Sequence, residues 1–293
     1  MAAVHGHTIS TQAGVVPDTS NAARPASDDR VILITGSTSG LGREAALRLA
    51  APGTHVIVHG RDRQRGEEVV RAIEERGGTA RLYTADLASL DRVRELAGAV
   101  LRDYDRLDVL INNAGIWLDS PERHLSADGH EMHFAVNYLS GFLLTHMLLP
   151  LLTGSAPARI INVASAAQAP IDFDDVMLEH GYSDGRGYSQ SKLAQVMFTF
   201  DLAEELEGTG VTVNAPHPAT LMDTNMVLSR GAPVRSSVSE GADAVLNLVT
   251  ASDVGTGQYF DGTRPARANT QAYDAAARER LRSLSHALLD PDR

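Results

Sequence analysis

A chain of 293 residues with 43% apolar and 22% charged side chains can bury a full core and has the balance of an ordinary globular domain. It contains no cysteine, which excludes a disulfide framework, a thiolate zinc site and a cysteine nucleophile. Its formal net charge is -11 and its arginines are scattered among carboxylates, which argues against nucleic-acid binding, since that needs a concentrated basic surface.

Residues 1–29 show no apolar periodicity, are rich in Ala, Ser, Thr, Gly and Pro, and read as a flexible arm. They lack the basic start and apolar middle of a signal peptide, so a cytoplasmic protein is expected. From Arg30 onward, short β-branched runs alternate with helical patterns. Strands are predicted at 31–35, 55–60, 80–84, 109–112, 159–163, 211–215 and 258–260. Between them lie predicted helices at 41–50, 63–76, 90–104, 127–152, 188–207 and 240–250, and an outer amphipathic helix follows at 272–289. This alternation implies one α/β domain over 30–293, a doubly wound parallel sheet of about seven strands with helices on both faces. The most apolar helical run, 142–152, is too short to span a bilayer and reads as a core helix. Two irregular segments, 166–187 and 219–239, are long enough to act as lids over a site.

The first predicted strand runs into Thr35-Gly36-Ser37-Thr38-Ser39-Gly40-Leu41-Gly42, and a helix opens directly from it. In the order strand, glycine turn, helix, the glycines admit a pyrophosphate close to the backbone, and the helix amino end holds it with free N–H groups. A second signal is compositional. Lys192 is the only lysine, and it stands four residues after Tyr188 in Tyr188-Ser189-Gln190-Ser191-Lys192. On a helix the two share a face, so the ammonium can approach the phenol, favour its ionised form, and make Tyr188 a proton donor and acceptor near neutral pH.

With these motifs the chain resembles the short-chain dehydrogenase/reductase family from Val31 to about Phe260. Thr35 to Gly42 matches the family's coenzyme loop, and Asp86-Leu87 its adenine contact. Asn112-Asn113-Ala114-Gly115 matches the fourth-strand motif, while Asn137, Ser165, Tyr188 and Lys192 match the catalytic tetrad in order. The 23-residue gap from Ser165 to Tyr188 and the stretches 137–145 and 188–198 resemble the branch of retinol dehydrogenases and the oxidoreductase part of WW-domain oxidoreductases. Pro218-Ala219 departs from the family's usual Pro-Gly.

The resemblance implies a Rossmann-like fold, a nicotinamide coenzyme, and interconversion of a carbonyl and an alcohol with Tyr188 as general acid/base. It implies that Ser165 bonds the carbonyl oxygen, that Lys192 binds the nicotinamide ribose, and that Asn137 holds a relay water. Coenzyme contacts are expected from Gly36, Ser37, Ser39, Gly40, Leu41, Gly42, Arg61, Asp86, Leu87, Asn113, Ala114, Gly115, Tyr188, Lys192, Pro218 and Thr220. Gly60 stands where an NAD-preferring enzyme carries an acid. The following Arg61, helped by Ser37 or Ser39, therefore favours NADP (NADPH) over NAD, unless Asp62 reaches the ribose. Trp117, Leu221, Met222, Met226, Val227 and Leu228 suggest a lipophilic ketone or aldehyde as the small-molecule partner. No metal site is expected, because His130 and His133 lack a third ligand at a suitable spacing. Pairing of two copies through 188–207 is a further implication of the resemblance. Two alternatives stay open: an NADP(H)-sensing regulator without turnover, or the same fold carrying out dehydration, epimerisation or enone reduction.

Overall fold

The computed structural model describes residues 25–290, so the arm predicted at 1–29 lies almost entirely outside the described residues. Strand β1 (Arg30–Ile34) alternates its side chains between two cores, with Val31 and Leu33 on one face and Ile32 and Ile34 on the other. A strand's two-residue period sends neighbours to opposite faces, and helices cover both faces here, so every buried position is apolar.

The chain continues through α1 (Gly40–Leu49), β2 (Thr54–Gly60), α2 (Arg63–Glu74), β3 (Thr79–Thr84), α3 (Leu90–Asp103) and β4 (Val109–Asn112). A π-helical turn (Phe134–Leu139) then runs without a break into α4 (Ser140–Gly154), followed by β5 (Ala158–Asn162), α5 (Asp184–Glu205) and β6 (Val211–His217). Last come the short α6 (Asn225–Leu228), α7 (Val238–Thr250), β7 (Gln258–Asp261), β8 (Arg264–Ala266) and α8 (Ala275–Leu289). The sheet order is β3-β2-β1-β4-β5-β6-β7-β8, parallel up to β7. Helices α1, α2 and α7 cover one face, and α3, α4 and α5 the other. Because the chain moves outward from β1 to β3 and then returns to β4, a crevice opens beyond the carboxyl ends of β1 and β4, where α/β sheets bind ligands.

Four features differ from the sequence prediction. An eighth strand, Arg264–Ala266, pairs antiparallel with β7 across a turn at Gly262. Three residues, one of them proline, are too few to leave an apolar signature. The helix predicted at 127–152 begins later, because Gly129 takes φ +81° and the Ser126 hydroxyl accepts from the N–H groups of Asp128 and His130, closing a turn. Helix α5 begins four residues earlier than predicted, since Ser183 caps it by accepting from Arg186 N at 3.2 Å. The apolar helix is also longer than its 142–152 run. Phe134–Gly154 is long and apolar enough by composition to cross a membrane, yet 67% of its apolar window is buried inside the fold.

Helix α5 is buried nearly all round, the pattern of a core helix. Its outer side, where pairing of two copies is predicted, packs against the chain's own α8. Arg282 and Arg278 of α8 bond Asp201 and Glu204, each at 2.6 Å, and Ser285 bonds Tyr138 at 2.6 Å.

Candidate active site

The crevice is a cavity of about 890 Å³ running from the glycine turn to the 219–239 segment. At one end, backbone must approach backbone. Gly36 sits at φ +66°, and a Cβ there would lie 2.9 Å from Ala114 Cα. A Cβ on Gly42 would lie 2.4 Å from both Asn113 Nδ2 and Gly36 O. Asn113 fixes this junction by donating from Nδ2 to Thr35 O at 2.8 Å. The next helix starts with Ser39 at its N-cap making no side-chain cap bond and with no acidic residue in its first turn. Its N–H groups and partial positive charge therefore face the cavity, as a pyrophosphate requires.

Gly36, Ser39, Gly40, Leu41, Gly42, Arg61, Asp86, Leu87, Asn113, Ala114, Gly115, Ser165, Tyr188, Lys192, Pro218 and Thr220 all line this one cavity. Two predicted residues do not. Ser37 is fully buried, donates to Ile34 O at 2.9 Å and accepts from His59 N at 3.0 Å, so its hydroxyl ties β1 to β2 and is not free for a phosphate. Thr38 lines the cavity beside it. Asn137, buried in the π-helical turn, accepts from Ile116 N at 2.7 Å and donates to Ile116 O and Ser191 Oγ. Its amide is thus a clamp between the β4 loop and α5, with both N–H groups bonded to protein and the oxygen accepting once.

Asp62 does not line the cavity. It caps α2, accepting from Arg65 N at 3.1 Å, and its carboxylate pairs with the Arg65 side chain at 3.3 Å. Arg65, in the first turn of α2, lines the cavity with Arg61, which precedes the helix cap, and a second arginine shortly after the first is the signal that would have revealed it. A Cβ on Gly60 would lie 2.4 Å from Thr38 Cγ2, which explains why no acidic side chain stands there. His59, also lining the cavity, accepts from Gly36 N on Nδ1, and burial holds it neutral with a pKa of about 4.

At the other end, Tyr188 and Lys192 come from the first two turns of α5, and Ser165 follows β5. The close approach of α5 depends on Gly187, whose Cβ would lie 2.9 Å from His133 Nδ1. His133 itself is held between Glu131 at 2.8 Å and Asp184 at 3.2 Å. The Tyr188 phenol and Ser165 line the cavity together, and the Tyr188 ring stacks on Trp117 with centroids 5.1 Å apart. Burial raises the Tyr188 pKa above the ordinary phenol range, and the nearby Ser165 hydroxyl opposes the rise. This direction is opposite to the lowering predicted from the Lys192 charge. Burial acts on both groups, raising the phenol and pushing Lys192 down to about 7.

Beyond Tyr188 the walls are apolar, with Trp117, Leu118, Met132, Leu221, Met226 and Val227 lining the cavity, while Met222 lines it from the other side, packed beside Gly241 of α7 and the α1 cluster. Leu228 does not contribute, because it points to solvent with 53% exposure. A residue missed in the sequence holds this end together. Arg230 lies 3.7 Å over the Trp117 ring and pairs with Asp184 at 2.9 Å and Asp119 at 3.2 Å.

Residues 30–234 match the short chain dehydrogenase family. The chain is 37% identical to mouse retinol dehydrogenase 14 over 291 residues, which is 89% of this chain and 86% of the relative. Among solved structures, it is similar to an uncharacterised protein from Mycobacterium paratuberculosis, at 30% identity and TM-score 0.74, covering 92% of this chain and 98% of that one. A variant of actinorhodin polyketide ketoreductase solved with NADPH is similar at 28% identity and TM-score 0.64, covering 80% and 96%. Family match, relatives and site geometry agree, and the chain belongs to the short-chain dehydrogenase family, in its retinol dehydrogenase-like branch.

Proposed function

We propose that this protein is an NADP(H)-dependent oxidoreductase that interconverts a lipophilic ketone or aldehyde and its alcohol, with Tyr188 as general acid/base. The observation that carries this reading is the convergence of Ser165, Tyr188 and Lys192 on the cavity that also holds the glycine turn and Arg61. A bound nicotinamide coenzyme would supply or accept hydride. Its pyrophosphate fits the amino end of α1, and a 2'-phosphate fits the guanidinium groups of Arg61 and Arg65. The NADPH in the actinorhodin ketoreductase relative supports the same preference.

The chain's own residues supply the proton chemistry. A carbonyl oxygen seated between Ser165 and Tyr188 receives a hydrogen bond from the serine hydroxyl, which stabilises charge building on that oxygen. Tyr188, whose phenol holds its proton at neutral pH, donates it to the same oxygen during reduction. The Lys192 ammonium offsets the negative charge left on the phenolate. Trp117 and Met226 exclude water and favour an apolar body next to the carbonyl. A cytoplasmic location belongs to the same proposal and is tested by cell fractionation.

The test is NADPH consumption over a carbonyl panel graded by hydrophobicity, with alcohol product identified by mass. Tyr188→Phe should abolish turnover while NADPH still binds. Full turnover by that variant, or a product lacking the two added hydrogens, sinks the reading.

A further inference from the structure

Helix α5 carries one contact that the chemistry above does not use. Gln195 stands three residues after Lys192, on the same helical face, and its Oε1 accepts from Lys192 Nζ at 2.8 Å. Val163 O accepts from the same nitrogen at 2.9 Å. Both side chains are buried, each with 4% exposure. An ammonium has three N–H groups, so these two acceptors leave one to point elsewhere.

Among the described residues, none of the surrounding charged groups bonds Nζ. Tyr188 lies on the same helix with its ring centroid 5.8 Å away, and His217 of β6 feels the lysine charge, which opposes its own protonation. Asn137 of the π-helical turn is committed to Ile116 and Ser191, and Tyr138 to Ser285. Tyr259 of β7 donates to Ser165 O. Asp201 and Glu204, farther along α5, are paired with Arg282 and Arg278 of α8. A neutral amide is therefore the side chain that receives this buried cation.

We infer that Gln195 is a positioning residue for the reaction: its side-chain oxygen anchors the Lys192 amine and favours its ammonium form. This rests on the reading that Lys192 serves Tyr188. Burial has already brought Lys192 to about 7, so one acceptor gained or lost changes how much of it is charged at neutral pH.

Because Lys192 is the only lysine, protein grown on isotope-labelled lysine gives a single side-chain NMR signal, and its titration can be read directly. Gln195→Leu should lower the midpoint by about one pH unit, the worth of a hydrogen bond to a charged group. Gln195→Glu should raise it by at least as much, and the pH profile of kcat/KM should move in the same two directions. If the buried carboxylate of the Glu variant prevents folding, the Leu variant, close to glutamine in volume, decides alone. An unchanged titration in a folded Leu variant overturns the inference. A shifted titration with an unshifted pH profile shows the hydrogen bond but overturns the positioning role, because the fault then lies in the reading that Lys192 serves Tyr188.

Discussion

Replacing Arg61 and Arg65 with alanine tests the coenzyme reading where the geometry is most specific. The two residues line the cavity from either side of the α2 cap at Asp62, and both are exposed. A hydrogen bond to a charged group is worth about 1.5–3 kcal/mol, and solvent screening at an exposed rim places these near the lower bound. About 1.4 kcal/mol is tenfold in Kd, so each single variant should bind NADPH about 10-fold more weakly. The residues are neighbours and share one phosphate, so the double variant should lose somewhat less than the product, about 30–100-fold. NADH, without the 2'-phosphate, should bind within about 2-fold of wild type on the same reasoning. Arg65→Ala leaves the α2 cap intact, because Asp62 accepts from the Arg65 main-chain N–H. Trp117 is the only tryptophan and lines the cavity, so its fluorescence quenching reports binding of either coenzyme. Raising salt should weaken NADPH binding more than NADH binding in wild type and remove that difference in the double variant. Equal losses for the two coenzymes, or none for NADPH, would refute the assignment.

The surrounding structure yields four further expectations. Gly60→Asp alone should not convert the enzyme to NADH, because its Cβ collides with Thr38 and overpacking costs about 1–3 kcal/mol; pairing it with Thr38→Gly should bind NADH better than the single variant, measured by the same quenching. Gly187→Ala should push α5 away from His133 and Glu131 and depress kcat far more than NADPH affinity; unchanged kcat would show that this approach is not needed. Arg230→Leu removes a cation–π contact worth about 0.5–2 kcal/mol and two ion-pair partners, so KM for bulky carbonyls should rise and Trp117 emission should shift to the red. Acid should destabilise the fold between pH 6.5 and 4, because buried His55 and His59, both with pKa of about 4, bind protons in the unfolded chain over that range and not in the folded one. The gap is worth on the order of 3 kcal/mol per ring at pH 4, and urea midpoints should fall from pH 7 to pH 5, less steeply in His55→Gln.

The sequence by itself determined the sheet, its parallel strands and the residues proposed here for catalysis. Strand and helix periods write themselves directly into apolar spacing, and a lone lysine four residues after a tyrosine is visible without coordinates. The folded chain decided what depends on contacts between distant residues. Nothing local distinguishes Ser37, bonded to His59, from its neighbour Thr38, which faces the cavity. The commitment of Asn137 to Ile116, the Arg230 stack on Trp117, and the acceptor that Gln195 offers Lys192 likewise appear only once α5, the β4 loop and the 219–239 segment are brought together. The protonation of Tyr188 and Lys192 belongs to the same class. Spacing shows that the two can meet, but how much water each loses is a property of the packed interior, and here desolvation is the leading cause of both shifts.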